Sequence, residues 1–190
     1  MTTPVSATAH ATATAPVVSV KPVVLPAPGR AEDLRVRVSA PVTGHGLPVV
    51  LLAHGFGSSL DGYGPLADHW AAHGFVVVQP THLDSRTVGL AEDDPRRPGL
   101  WRSRVEDMRR VLDDLDVVEA AVPGLAGRLD RSRVAAAGHS FGGQTAGILL
   151  GLRVRDPATV VEAAVPGLAG RLDRSRVAAA GHSFGGQTAG

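Results

Sequence analysis

Arg133-Val134-Ala135-Ala136-Ala137-Gly138-His139-Ser140-Phe141-Gly142-Gly143 (RVAAAGHSFGG) joins a short run of small strand-forming residues directly to a helix start. Gly138, Ser140 and Gly142 form a Gly-x-Ser-x-Gly pattern. A serine at so abrupt a strand-to-helix bend takes a strained backbone that pushes its hydroxyl out of the sheet. Glycines flank it because strand and helix approach there too closely for side chains. The alanines at 135–137 fit the same crowding. The following helix is expected over roughly 143–152.

Upstream, the pattern alternates strand and helix. Residues 17–24 and 34–38 are candidate outer strands. PVVLLA at 48–53 is a short apolar run bounded by turn residues, hence a buried strand. Tyr63, Leu66, Ala67 and Trp70 recur at helical spacing, and His73-Gly74 stops that helix. FVVVQ at 75–79 is the next buried strand. Trp101, Val105, Met108, Leu112 and Leu115 then step by four, three, four and three, which lays one apolar stripe on the core. Arg102, Glu106 and Arg110 fall at i, i+4 on its wet face, and Pro123-Gly124 marks its end. This order predicts an α/β fold: a mostly parallel sheet with helices on both faces.

A second element lies about 85 residues before the serine. His54-Gly55-Phe56-Gly57-Ser58-Ser59 follows PVVLLA directly. The Phe56 and Phe141 backbone N–H groups are the candidate donors to a developing oxyanion, the latter helped by an electropositive helix start. Two correctly ordered elements at strand C-terminal ends are harder to obtain by chance than either alone.

LPVVLLAHGFGSS, HGFVVVQPTH and RVAAAGHSFGG together resemble the α/β-hydrolase superfamily. The likeness is to dienelactone hydrolase, chlorophyllase and platelet-activating-factor acetylhydrolase-like serine esterases, over roughly residues 17–156. The resemblance implies a carboxylic-ester hydrolase with Ser140 as nucleophile, Phe56 and Phe141 as oxyanion-hole donors, and Gly138, His139, Gly142 and Gly143 as the elbow. It also implies a later acid and histidine, in the order Ser, Asp/Glu, His. These have no counterpart here, because residues 160–190 repeat 117–147 letter for letter. Losing the base from such a triad costs about a millionfold in kcat, so the chain as it stands is expected to be almost inactive. The alternative is a non-catalytic remnant, or an artefactual fragment, that at most binds hydrophobic acyl ligands.

The duplication is identical even at solvent-type positions such as Arg128/Arg171, unlike an evolved solenoid. Residues 1–15, Thr/Ala-rich, read as a disordered lead-in, 16–159 as a partial hydrolase domain and 160–190 as the copy. Strand 134–137 would otherwise be an exposed sheet edge. We expect residues 177–180 to pair beside it, with a helix near 158–165 in the connection. Ser183 is followed by too few residues to build a second elbow.

Other patterns compete with this one. Gly138 to Thr145 is one letter from a phosphate-binding loop, but neutral Gln144 replaces the lysine. His69 and His73 have zinc-compatible spacing without a third ligand, so no metal and no cofactor is expected; a helix-end histidine meeting the last carbonyls accounts for them. Of the histidines that could stand in for the base, His139 should point away from Ser140 and His54 should brace the loop. His82 falls on the expected site rim with Tyr63, and Phe56, Leu60 and Phe141 make that rim apolar. Glu92-Asp93-Asp94 and Arg96-Arg97 read as a solvated loop.

A net charge of +1 predicts no pull towards nucleic acid or anionic membrane. No stretch approaches the roughly 18 apolar residues of a membrane span. With no signal-peptide pattern, the address reads as cytoplasmic. The expected partner is a small hydrophobic ester.

Overall fold

The computed structural model describes residues 14–151, together with the backbone of 154–155 and 162–163. Strands β1 (Val17–Leu25) and β2 (Leu34–Pro41) form an antiparallel hairpin, and β3 (Leu47–Ala53) follows. Helix α1 (Gly64–Ala72), strand β4 (Val76–Pro80), helices α2 (Leu100–Asp113) and α3 (Leu115–Ala121), strand β5 (Leu129–Gly138) and helix α4 (Phe141–Leu149) complete the main body. Two-residue strands β6 (Val154–Arg155) and β7 (Glu162–Ala163) pair antiparallel.

The sheet order is β1-β2-β4-β3-β5. Strands β3, β4 and β5 are parallel, while β2 meets both β1 and β4 antiparallel. The sheet is thus mixed, because the β1–β2 hairpin sends β2 back against β4. Alternate residues of the parallel strands face opposite cores, as a two-residue period requires. Val49, Leu51, Ala53, Val76, Val78, Val134 and Ala136 pack with α2, α3 and α4. Val50, Leu52, Val77 and Ala137 pack with Ala67 of α1. Helices therefore cover both faces. On the α1 side, Asp68 accepts from Arg37 (2.8 and 2.9 Å), Ser19 and Ser39 (both 2.9 Å), which ties that helix to the hairpin.

Several expected boundaries shift. Helix α4 starts at Phe141 rather than near 143, immediately after the bend. The long helix breaks at Asp114 (φ −103°, ψ 27°), leaving α3 as a separate seven-residue helix against β1. Glu106 pairs with Arg109 at 2.8 Å. Ala15 belongs to the ordered body, since its N–H donates to Ala72 O at 2.8 Å. In place of the helix expected near 158–165, Glu162–Ala163 form β7, paired with β6. The lead-in at 1–13, the pairing of 177–180 and Ser183 lie outside the described residues.

Candidate functional site

Ala53 lies opposite Gly138 in the β3–β5 ladder, so the segments after both strands leave the sheet side by side. His139 N–H donates to Ala53 O at 3.3 Å. The chain then bends at Ser140, whose φ is 53° and ψ −118°. Such a conformation in a residue with a Cβ costs on the order of 1–3 kcal/mol and persists only where the surroundings impose it. Here they do. Gly142 N–H donates to His139 O (2.8 Å) and Gly143 N–H to Ser140 O (2.9 Å), turning strand into helix within two residues. A Cβ on Gly138 would overlap the Gly142 carbonyl, and one on Gly142 would overlap the Ala53 carbonyl.

Ser140 is half-buried, and its hydroxyl has no hydrogen-bond partner among the described residues. The Phe56 and Phe141 N–H groups likewise have no acceptor there. The Phe56 side chain is 60% exposed, with its ring tilted 43° to that of Phe141 at 6.4 Å. An open hydroxyl, two unpaired amide donors and an apolar ring pair thus surround one end of the sheet.

Two bridges join the His54–Ser59 segment to its neighbours. On one side Tyr63 Oη accepts from Gly55 N–H (3.4 Å) and shares a hydrogen bond with His139 Nδ1 (2.8 Å). Tyr63 therefore links loop to elbow instead of merely edging the site. On the other side stands Arg104, a fully buried arginine of α2. Its guanidinium holds both oxygens of Asp84 (2.8 and 2.7 Å) and donates to His54 O (2.8 Å). Asp84 in turn accepts from Gly57 N–H at 3.2 Å. Burial alone would raise the Asp84 pKa, but the hydrogen bonds and charge of Arg104 bring it below the usual carboxylate value.

His82 departs from the sequence expectation. It is fully buried rather than on a rim, because Asp107 of α2 and Arg30 of the β1–β2 turn close over it. Its Nδ1 lies 2.9 Å from Asp107 Oδ2, and its Nε2 is buried without a partner. His82 N–H donates to His54 Nε2 at 3.0 Å, so His54 carries its proton on Nδ1 and donates it to Gly55 O at 2.7 Å. Burial, reinforced by the Arg104 charge, lowers the His54 pKa to about 4 and that of His82 well below its ordinary value. Both rings are neutral at physiological pH. Burial pushes Asp107 up to about 6 although Arg30 binds it at 2.7 Å. These histidines brace the loop and are not open to a substrate.

A cavity of about 400 Å³ opens behind this network, lined in part by Arg30, Leu83, Arg102, Asp107 and Arg110. Ser140, Phe56 and Phe141 do not line it. Among the described residues no cluster of His, Asp and Glu is placed to hold a metal. His73 Nδ1 instead meets His69 O at 2.7 Å. No helix among those residues is long and apolar enough to cross a membrane.

Sequence reasoning passed over Arg104, Asp84, Arg30 and Asp107. The signal was there: Arg104 stands four residues from Leu100 and from Met108, inside the apolar stripe of α2. A charge at such a position must be paired when buried, and its partner comes from a distant loop.

The family described as serine aminopeptidase, S33, matches residues 45–167. Platelet-activating factor acetylhydrolase of Cavia porcellus is 29% identical over 138 residues, covering 54% of this chain and 31% of that protein. A thermophilic carboxylesterase cloned from a metagenomic library superimposes with TM-score 0.50 at 24% identity, over 72% of this chain and 40% of its own. An esterase of Pyrobaculum calidifontis gives TM-score 0.49 at 24% identity, over 71% of this chain and 38% of its own. The chain thus spans well under half the length of these relatives.

Proposed function

Because the chain belongs to the α/β-hydrolase family described as serine aminopeptidase, S33, we propose that it carries the nucleophile half of a serine esterase. Ser140 attacks an ester carbonyl, and the Phe56 and Phe141 amides receive the oxyanion. One observation carries this reading: the Ser140 hydroxyl, on a strained bend, and the Phe56 and Phe141 N–H groups have no hydrogen-bond partner among the described residues. Preorganised donors of this kind stabilise the tetrahedral intermediate without reorganising as charge develops.

Acyl chemistry is favoured by the exposed Phe56 ring against Phe141, which offers apolar surface to the acyl or aryl part of a small ester. The acetylhydrolase named among the relatives supports the same class. The general base lies, in this proposal, outside the described residues. His54 and His82 are buried and neutral, and His139 is engaged by Tyr63. Acylation by residues 14–151 alone is accordingly expected to be slow.

The test is acylation by a p-nitrophenyl alkanoate, followed by trypsin and mass spectrometry. Residues 134–153 form one tryptic peptide and 177–190 another, so Ser140 and Ser183 are separately visible. The expected adduct is on 134–153, and it disappears in Ser140→Ala. An adduct only elsewhere, or none after prolonged exposure, would overturn the reading. Faster reaction with an aminoacyl p-nitroanilide would move the substrate class from esters to amides.

A further inference from the structure

We propose that Arg104 is a positioning residue that fixes the two oxyanion amides relative to each other, an inference that rests on the serine-hydrolase reading above. Its guanidinium touches both sides of the site at once. Towards the first donor, it holds His54 O and, through Asp84, Gly57 N–H, so both peptide neighbours of Gly55-Phe56 are tied to one rigid group. Towards the second, its Cζ lies 4.4 Å above the centre of the Phe141 ring. A planar fork can make both contacts together, since one edge binds a carboxylate in two places while the face stacks on an aromatic ring.

Arg104 is the polar group that joins the two segments on this side, beside the Phe56–Phe141 ring pair and the close approach of Gly142 to the His54 carbonyl. Tyr63 bridges loop and elbow from the opposite side, through Gly55 and His139. Without Arg104, the Phe56 segment would keep its attachment to β3, the Arg86 N–H bond to Gly57 O and the Phe56–Phe141 ring contact, but lose the polar grip that fixes its distance from Phe141. Lysine would retain a charge for Asp84 but neither the two-point grip nor the stacked plane.

The experiment compares the full 190-residue chain with Arg104→Lys, Arg104→Met and Arg128→Met, the last a buried arginine remote from Ser140. Amide hydrogen exchange and ¹H–¹⁵N spectra report the loop directly, without any turnover. Gly57 exchange should accelerate at least about tenfold, and the Phe56 and Phe141 resonances should move, in both Arg104 variants but not in Arg128→Met. Single-turnover acylation by the p-nitrophenyl ester should slow about 10- to 100-fold at saturation, below the 10²–10³ for losing a whole donor, with half-saturation within about threefold of wild type. Unchanged Gly57 exchange in a folded Arg104→Lys or Arg104→Met protein overturns the proposal, as does an equal response in Arg128→Met. If Ser140 is never acylated, the hydrolase reading fails on its own, while the amide data still judge whether Arg104 holds the two segments together.

Discussion

Gly142 meets the Ala53 carbonyl through bare backbone, with no space between them for even a methyl group. The contact exists because β3 and β5 are paired with Ala53 opposite Gly138, and α4 begins only three residues later. It holds the bend at Ser140 against the neighbouring strand.

Gly142→Ala should therefore destabilise the fold by about 3 kcal/mol or more, since backbone cannot move aside as a side-chain tip can. Gly99→Ala is the contrast: it has a φ of −95° and nothing within 4 Å, so its effect should stay within about 1 kcal/mol. Urea unfolding of both variants measures the difference. Similar midpoints would contradict the close-packing account.

Ser140→Gly should raise stability by roughly 1 kcal/mol, because glycine accepts φ 53°, ψ −118° without steric cost. Ser140→Ala keeps its Cβ and with it the strain, so it should leave the unfolding midpoint nearly unchanged. A Ser140→Gly protein less stable than Ser140→Ala would show that the bend is not strained.

Acid should weaken the fold. His54, with its pKa at about 4, and His82, lowered well below 6.5, take up protons only on unfolding, so their stabilisation is full above about pH 6.5 and lost as pH falls. Asp107, raised to about 6, acts oppositely: it stays protonated in the folded state near pH 5, where the unfolded chain has lost that proton. Two histidines against one carboxyl leave about one proton net, or about 1.4 kcal/mol per pH unit, between roughly pH 6 and 4.5. Urea unfolding at pH 7, 6 and 5 should give falling stability in that order, and Asp107→Asn should steepen the fall. A flat profile would mean that the histidines are not held neutral.

Two arginines separate buried from exposed pairing. Arg128, a solvent-type position by sequence, is instead buried and donates to Gly44 O (2.6 Å), Gly124 O (2.8 Å) and Pro41 O (2.9 Å), tying the β2–β3 and α3–β5 connections together. Arg128→Met strands those carbonyls and should cost about 3 kcal/mol. Arg131 reaches Asp116 and Glu119 from a half-exposed position, and Arg131→Met should cost less than about 1 kcal/mol. Thermal denaturation of the pair measures the ranking, and its reversal would be evidence against it.

The bend at Ser140, the glycines around it and the alternation of strands and helices were legible in the sequence. Backbone sterics and side-chain periodicity act over a few residues, and the spacing of Gly138, Ser140 and Gly142 expresses them directly. Tertiary structure alone decided the rest. It placed Ala53 beside Gly138, buried His82 under Asp107 and Arg30, and brought Arg104 from α2 against both His54 and Phe141. The duplicated segment makes the division plain: Glu119-Ala120 lies in helix α3, while its copy Glu162-Ala163 lies in strand β7. Identical residues take different backbone forms because their surroundings differ: Glu162-Ala163 pairs with Val154–Arg155, whereas Glu119-Ala120 follows α2 and Glu119 binds Leu129 N–H and Arg131 of β5.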